Sequence, residues 1–274
     1  MNSTSDIQTW WRTAIIDMEP GRINLRGYGI GDLITNVGLV EAIWLMTRGD
    51  LPTKAQARLL ERALVASMDH GPQAPSIAVS RMAVTCGLGL NGAMASAVNL
   101  LDDVHGGAGE QAVEMFAQVV AKIADGQEPN LAAANVLDSW IKSRGKILPG
   151  FGHRFHKDGD PRSPVLLAAV DDATAAGTVK GDQANAARAM EQVLSERKGR
   201  LIPLNIDGAT AVIFAELGFA APLARGLFCL SRSVGILSHA WEQTQQGGRN
   251  KGPTPPNYRW QYDGEPARHV ATEG

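Results

Sequence analysis

Four short, glycine-rich interruptions in an otherwise helical pattern hold nearly all the side chains that could move a proton or grip an anion. Asp69-His70-Gly71-Pro72 is the first, and Val104-His105-Gly106-Gly107-Ala108-Gly109 the second. Pro149-Gly150-Phe151-Gly152-His153-Arg154 follows, trailed by Asp160-Pro161-Arg162, and Leu204-Asn205-Ile206-Asp207-Gly208 is the last. Imidazoles and carboxylates in such loops suit general acid–base work. The glycines let backbone N–H and C=O groups come close to a flat ring or a phosphate. Each residue taken alone has a plainer reading. A His beside glycines at a helix end is often a cap for free carbonyls. Asp207 before Gly208 fits a helix N-cap, and Arg162 a surface ion-pair partner.

Other chemistries leave weaker traces. None of the six histidines makes a short helical pair of the HExxH type, and neither cysteine joins them, so no metal site is expected. No G-x-S-x-G elbow points to a serine hydrolase. The 149–152 segment has neither Walker nor GxGxxG spacing, so a nucleotide there would be held in another way. Cys86 and Cys229 sit among apolar neighbours and read as buried, reduced thiols. His156 and His239 read as structural, and His269 belongs to the tail.

The elements that must position these loops are helices. Apolar residues recur at three- and four-residue intervals, as at Val37, Val40, Ile43, Trp44 and Met46. The spacing predicts helices over 37–48, 53–67, 76–86, 91–102, 109–124, 130–143, 163–176, 182–195, 209–217 and 222–245. A small ribbon at 14–26, broken by Pro20-Gly21, is the one departure, and the tail after Gly247 should be irregular. Absence of recurrent strands argues against Rossmann and barrel enzymes. The 274 residues are 44% hydrophobic and 20% charged, with a net charge of -2 and scattered basic residues, which indicates neither a nucleic-acid nor a membrane surface. No apolar run reaches ~20 residues, and the first residues lack a secretion signal, so the cytoplasm is expected.

The order of these segments resembles the citrate synthase superfamily from about Trp11 to Tyr262. Leu25-Arg26-Gly27-Tyr28-Gly29-Ile30-Gly31-Asp32-Leu33 and Gly49-Asp50-Leu51-Pro52 are similar to its opening motif. Val104–Ala108 is similar to the loop of its first catalytic histidine. Gly150–Arg154 with Asp160-Pro161-Arg162 is similar to its most distinctive signature, and Asn205-Ile206-Asp207 to the approach to its catalytic aspartate. Ser231-Arg232-Ser233-Val234-Gly235, with His239 and Glu242, resembles its final core helix. The long helical insertion that follows Gly-Asp-Leu-Pro in full-length citrate synthases is missing, and the helix from Thr53 runs straight into Asp69-His70-Gly71-Pro72. That layout, with Asn205-Ile206-Asp207-Gly208, looks more like the citryl-CoA lyase module of ATP-citrate lyase.

The resemblance implies an all-α, two-domain fold: a large domain of 1–106 plus 219–274, and a small one of 107–218, whose closure assembles the site. It implies catalysis by His105, His153 and Asp207, with His70, Arg162 and Arg232 on the substrate. Leu148, Pro149, Gly150, Phe151 and Gly152 would meet the CoA adenine through their backbone, and Arg154 and Lys157 its phosphates. Asp207 is the implied base at the thioester α-carbon, His105 the donor to the thioester oxyanion, and His153 the donor to the keto-acid carbonyl. In cleavage His153 takes the hydroxyl proton and Asp207 returns one to the enol. No tightly bound cofactor is implied, since the CoA thioester is itself substrate. The leading activity is cleavage of citryl-CoA, or a close analogue, to acetyl-CoA and oxaloacetate by a homodimer or homotetramer. A synthase joining the same products and a non-catalytic CoA-binding homologue are the alternatives. In one respect the pattern departs: family members supply a partner-subunit arginine in an Arg-Pro-Arg context, whereas here only Arg249 and Arg259 lie nearby.

Overall fold

Pro20 and Gly21, the latter at φ +80°, fold the N-terminal ribbon back on itself. Strand β1 (Ile16–Glu19) pairs antiparallel with β2 (Arg22–Leu25), Ile16 opposite Leu25, and β3 (Tyr28–Gly29) adds to the same small sheet. The computed structural model describes residues 9–270; positions 1–8 and 271–274, the first of which were read above for targeting, lie outside it. The remaining elements are α1 (Ile30–Asn36), α2 (Leu39–Arg48), α3 (Lys54–Ser67), α4 (Pro75–Thr85) and α5 (Leu90–Val98), then α6 (Ala108–Ala124), α7 (Pro129–Arg144), α8 (Arg162–Ala175), α9 (Asp182–Lys198), α10 (Ile206–Glu216) and α11 (Ala221–Gln246). The fold is all-α, as expected. Among the described residues, no helix is long and apolar enough to cross a membrane.

Local signals account for most boundaries. Thr53 and Gln56 close a capping box at the start of α3, Gln56 N–H donating to Thr53 Oγ1 and Thr53 N–H to Gln56 Oε1. Gly49 ends α2 in the left-handed region at φ +95°. The start of α9 is capped from afar: the Glu216 carboxylate accepts the N–H groups of Gly181, Gln183 and Ala184 at 2.7–3.1 Å. Glu216→Ala should therefore lower stability by about 2 kcal/mol in thermal or urea unfolding, with Glu216→Gln recovering part of it.

Four elements depart from the periodicity, α9 by running on to Lys198, three residues past its expected end. Helix α1 is an addition. Helix α5 stops at Val98 because Asp102 turns its carboxylate to its neighbour's N–H and its own N–H to His105 C=O, offering the backbone a partner other than the helix. Helix α10 begins at Ile206, which puts Asp207 in its first turn instead of ahead of it. Cys86 is exposed and Cys229 half-buried, correcting the expectation of two buried thiols.

The described residues form two compact units, one of 9–69 with 101–234 and the other of 70–100 with 235–270. At the centre of the larger unit lies α10, packed against α3, α6, α8 and α9 and buried on every side from Gly208 to Phe214. Met115, Phe116, Leu137, Val170 and Met190 are among the core side chains closed off around it. In the smaller unit α4 packs on α5, and Arg81 binds Glu242 and Gln246 at 2.6 Å on the last turns of α11.

Candidate active site

A helix buried on all sides has only its ends at a surface, and the first turn of α10 carries Asp207. Its start is held by Asn205, whose Oδ1 accepts the N–H groups of Asp207 (2.9 Å) and Gly208 (3.1 Å). The same side chain reaches the third loop, Asn205 Nδ2 donating to Gly152 C=O at 2.7 Å. Gly152 N–H donates to Pro203 C=O, and Asn205 N–H to Gly150 C=O, so 150–152 and 203–205 form a miniature ladder with Phe151 opposite Leu204. The Asp207 and His153 loops are thus one structure.

Two glycines permit the approach. A Cβ on Gly150, at φ +86°, would lie 3.0 Å from Gly208 Cα, and one on Gly208 would overlap Gly150 C=O and sit 2.7 Å from the Leu204 side chain. Gly208→Ala is expected to lose 1–3 kcal/mol of stability by overpacking and, with the two loops forced apart, to lower turnover as well. A melting curve and a rate measurement on the same preparation check this. The second loop arrives through α6, where a Cβ added to Gly109 would lie 3.9 Å from Asp207 C=O.

Arg162 opens α8 with its guanidinium against Asp160, donating from Nε at 2.9 Å and Nη2 at 2.8 Å, while Nη1 reaches Ala66 C=O at 3.4 Å. The fork foreseen for a substrate carboxylate is therefore filled by Asp160, and only the Nη1 side remains. Arg232 is 6% exposed on α11. Its Nε donates to Ser67 C=O at 3.2 Å and its guanidinium lies 4.9 Å over the Phe228 ring.

Electrostatics separates these groups by role. Burial drives the Asp207 carboxyl above the ordinary carboxylate range, against the pull of Arg232 and Arg162, although its edge stays open to solvent. Burial, then the Arg232 cation, pushes His105 below the usual histidine value. Burial also lowers His153, opposed by Asp160 and reinforced by His156, Arg162 and Arg154. Both rings are thus biased toward the neutral form. The tautomer of His153 follows from its neighbours: the N–H groups of Phe155 and His156 both donate to Nδ1 at 3.1 Å, which leaves the ring proton on Nε2. The His156 ring lies 4.6 Å from that of His153, tilted by 38° to it.

His105, His153, Asp207, Arg162 and Arg232 all fall in the larger unit, with Arg232 in electrostatic reach of Asp207, His105 and Arg162. His70 falls in the smaller unit, as do Arg249 and Arg259 on the exposed tail. In the nominated CoA segment Pro149, Gly150 and Phe151 are buried, Leu148 packs on the core, and Arg154 and Lys157 are exposed. Asn205, Asp160 and Arg225 were not among the candidates. Asn205 sits at N-cap spacing and Asp160 in the Asp-Pro-Arg motif, so both had a local signal; Arg225, whose partners lie 115–123 residues away, had none.

This arrangement of a desolvated carboxylate, two imidazoles biased toward the neutral form and a buried guanidinium accords with a sequence match. Residues 52–253 match the profile of the citrate synthase C-terminal domain. The chain belongs to the citrate synthase family. It is 32% identical over 203 residues to a citrate synthase of Heyndrickxia coagulans, covering 72% of this chain and 50% of that protein. It is 28% identical to ATP-citrate synthase subunit 1 of Sordaria macrospora over 75% of this chain and 31% of that one. The chain thus spans half the length, or less, of these curated relatives. Among solved structures, a citryl-CoA lyase from Hydrogenobacter thermophilus superposes with a TM-score of 0.83 at 29% identity, covering 96% of this chain and 98% of that chain. The matched citrate synthase region takes in every loop of the larger unit described above.

Proposed function

We propose that the protein is a lyase of citryl-CoA, or a close 3-hydroxyacyl-CoA analogue, producing acetyl-CoA and oxaloacetate. The observation that carries this is Asp207, a carboxylate raised by burial at the end of a buried helix and facing Arg232. Such a group suits proton transfer at a weakly acidic carbon, where a solvated carboxylate would be too weak a base. As the carbon–carbon bond breaks, electrons collect on the thioester oxygen as an enolate; a neutral His105 stabilises it by donation, and Asp207 returns a proton to the terminal carbon. Arg232 and the free side of Arg162 hold carboxylates, with His70 adding a donor. The backbone of 148–152 receives the adenine, and Arg154 and Lys157 the phosphates. The chemistry asks for no cofactor beyond the thioester. We place this activity in the cytoplasm, in at least a homodimer.

The direct run of α3 into Asp69-His70-Gly71-Pro72, and the likeness to the Hydrogenobacter lyase along 98% of that chain, support the lyase reading. One observation favours the synthase. With Nδ1 accepting two backbone N–H groups, His153 is set to donate from Nε2 to a keto carbonyl, as condensation requires. To take a hydroxyl proton in cleavage, the 153–156 turn must open so that the ring proton moves to Nδ1. Supplying acetyl-CoA and oxaloacetate while following free thiol separates the two. A lyase releases no CoA catalytically from this pair, whereas sustained thiol release overturns the lyase reading in favour of the synthase. A CoA-binding homologue without catalysis would bind CoA yet leave the methyl protons of acetyl-CoA unexchanged in heavy water.

A further inference from the structure

The His105 loop is held by more charge than a turn requires. Between the buried Leu101 and Gly107, Asp102 N–H donates to His105 C=O at 2.9 Å, and Gln111 Nε2 donates to Asp103 C=O at 3.1 Å. Gly106, at φ +105°, has room for no side chain, because a Cβ would press on Phe228 at 3.1 Å and Leu101 at 3.3 Å. Arg225 closes over this loop from α11. Its Nη1 donates to Asp102 and its Nη2 to Asp103, each at 2.5 Å, and its Nε binds Glu110. One guanidinium thus holds two carboxylates that precede His105 and one that follows it.

The rest of that helix face serves the same loop. Phe228 and Arg232 lie three and seven residues beyond Arg225, on one stripe of α11. Phe228 seats Gly106 and carries the Arg232 guanidinium, which is the cation acting on His105. Position and electrostatic surroundings of the imidazole are therefore set from a single helix face.

We infer that Arg225 is a positioning residue, a latch that holds the 102–110 turn so that His105 is presented beside Arg232. The inference rests on the reading of His105 as the oxyanion donor. Isolated surface ion pairs contribute little to stability. Here, however, removing one cation leaves three carboxylates crowded together, and Asp102 and Asp103 are 80% and 76% exposed, free to swing outward. The turn then opens while the core beneath it stays closed, so the effect falls on turnover more than on folding.

The test compares wild type with Arg225→Gln, Arg225→Lys and the double variant Asp102→Asn/Asp103→Asn. Two readouts are taken: histidine-selective NMR titration, with the His105 signal assigned through His105→Gln, and exchange of acetyl-CoA methyl protons in heavy water. Arg225→Gln should slow exchange on the order of tenfold to a hundredfold, with acetyl-CoA affinity within about threefold, as expected for a misplaced donor. Its His105 should titrate higher, back toward the ordinary histidine range, while His153 stays put. Arg225→Lys should fall between, because an ammonium cannot fork three carboxylates. The double variant keeps the arginine and should shift both readouts in the same direction by less, which preserves the test if Arg225→Gln folds poorly. An unmoved His105 titration in Arg225→Gln and the double variant overturns the latch. So does unchanged exchange alongside a moved titration. Wild type that exchanges no protons, with His105 still moved by Arg225→Gln, leaves the latch standing and defeats the proposed activity.

Discussion

Asp207→Asn is expected to slow exchange of acetyl-CoA methyl protons by about 10²–10⁴-fold, the range for a positioned general base, while CoA affinity stays within roughly threefold. The asymmetry follows from geometry. Asp207 occupies the first turn of α10, whereas the backbone nominated for the adenine lies at 148–152, held in place by Asn205 and the Pro203–Leu204 ladder, neither of which the substitution touches. The pH dependence has a definite sign. Because burial raises the Asp207 carboxyl, the rising limb of the rate should lie above the ordinary carboxylate range. The two histidines are pushed the other way, so a limb that is lost in Asp207→Asn belongs to the carboxyl and not to them. Mass spectrometric exchange from pH 4 to 8 on both proteins checks this, and wild-type exchange by the Asn variant would falsify the assignment of the base.

The largest stability effect is expected at Asp160. This side chain has no solvent exposure and accepts from Arg162 Nε and Nη2, from Arg162 N–H at 3.1 Å and from Ile206 N–H at 3.2 Å. It ties the start of α8 to the start of α10. Removing it leaves Arg162 Nε and Nη2 and the Ile206 N–H without their acceptor, so Asp160→Ala should lose about 3–5 kcal/mol, or roughly 10 °C in Tm. Burial alone would raise the Asp160 carboxyl, but the Arg162 bonds and the Ile206 N–H outweigh it and hold the group at about 2. A folded-state value below the unfolded 3.8 contributes stability that is complete above about pH 4 and is lost as pH falls toward 2. The shift of nearly two units corresponds to about 2.5 kcal/mol. Acid unfolding of wild type and Asp160→Asn tests it: the variant should lack this part of the decline between pH 4 and 2. Parallel curves would show that another carboxylate dominates.

Much of the molecule was legible one residue at a time. The three- and four-residue spacing located ten of the helices; Thr53 and Gly49 marked ends that the structure reproduces. The missed α1 has only seven residues, too few for periodicity to stand out from the glycines around it. The end of α5 was misplaced because a side chain, Asp102, competes for the backbone there, and apolar spacing is blind to such competition.

By itself, the sequence determined that this is a helical protein, where its loops fall, and which histidines and carboxylates those loops carry. Those features depend on near neighbours along the chain, through the helical period, caps and glycine turns. The tertiary structure decided what the same residues do. A carboxylate in a helix first turn should be stabilised by the helix dipole, yet Asp207 shifts the other way because α10 is buried on every side. Arg162 turned out to be occupied by Asp160, and Arg225 acquired three carboxylates from a turn more than a hundred residues away. Desolvation and long-range ion pairing depend on which segments pack together, and no local pattern of residues encodes that.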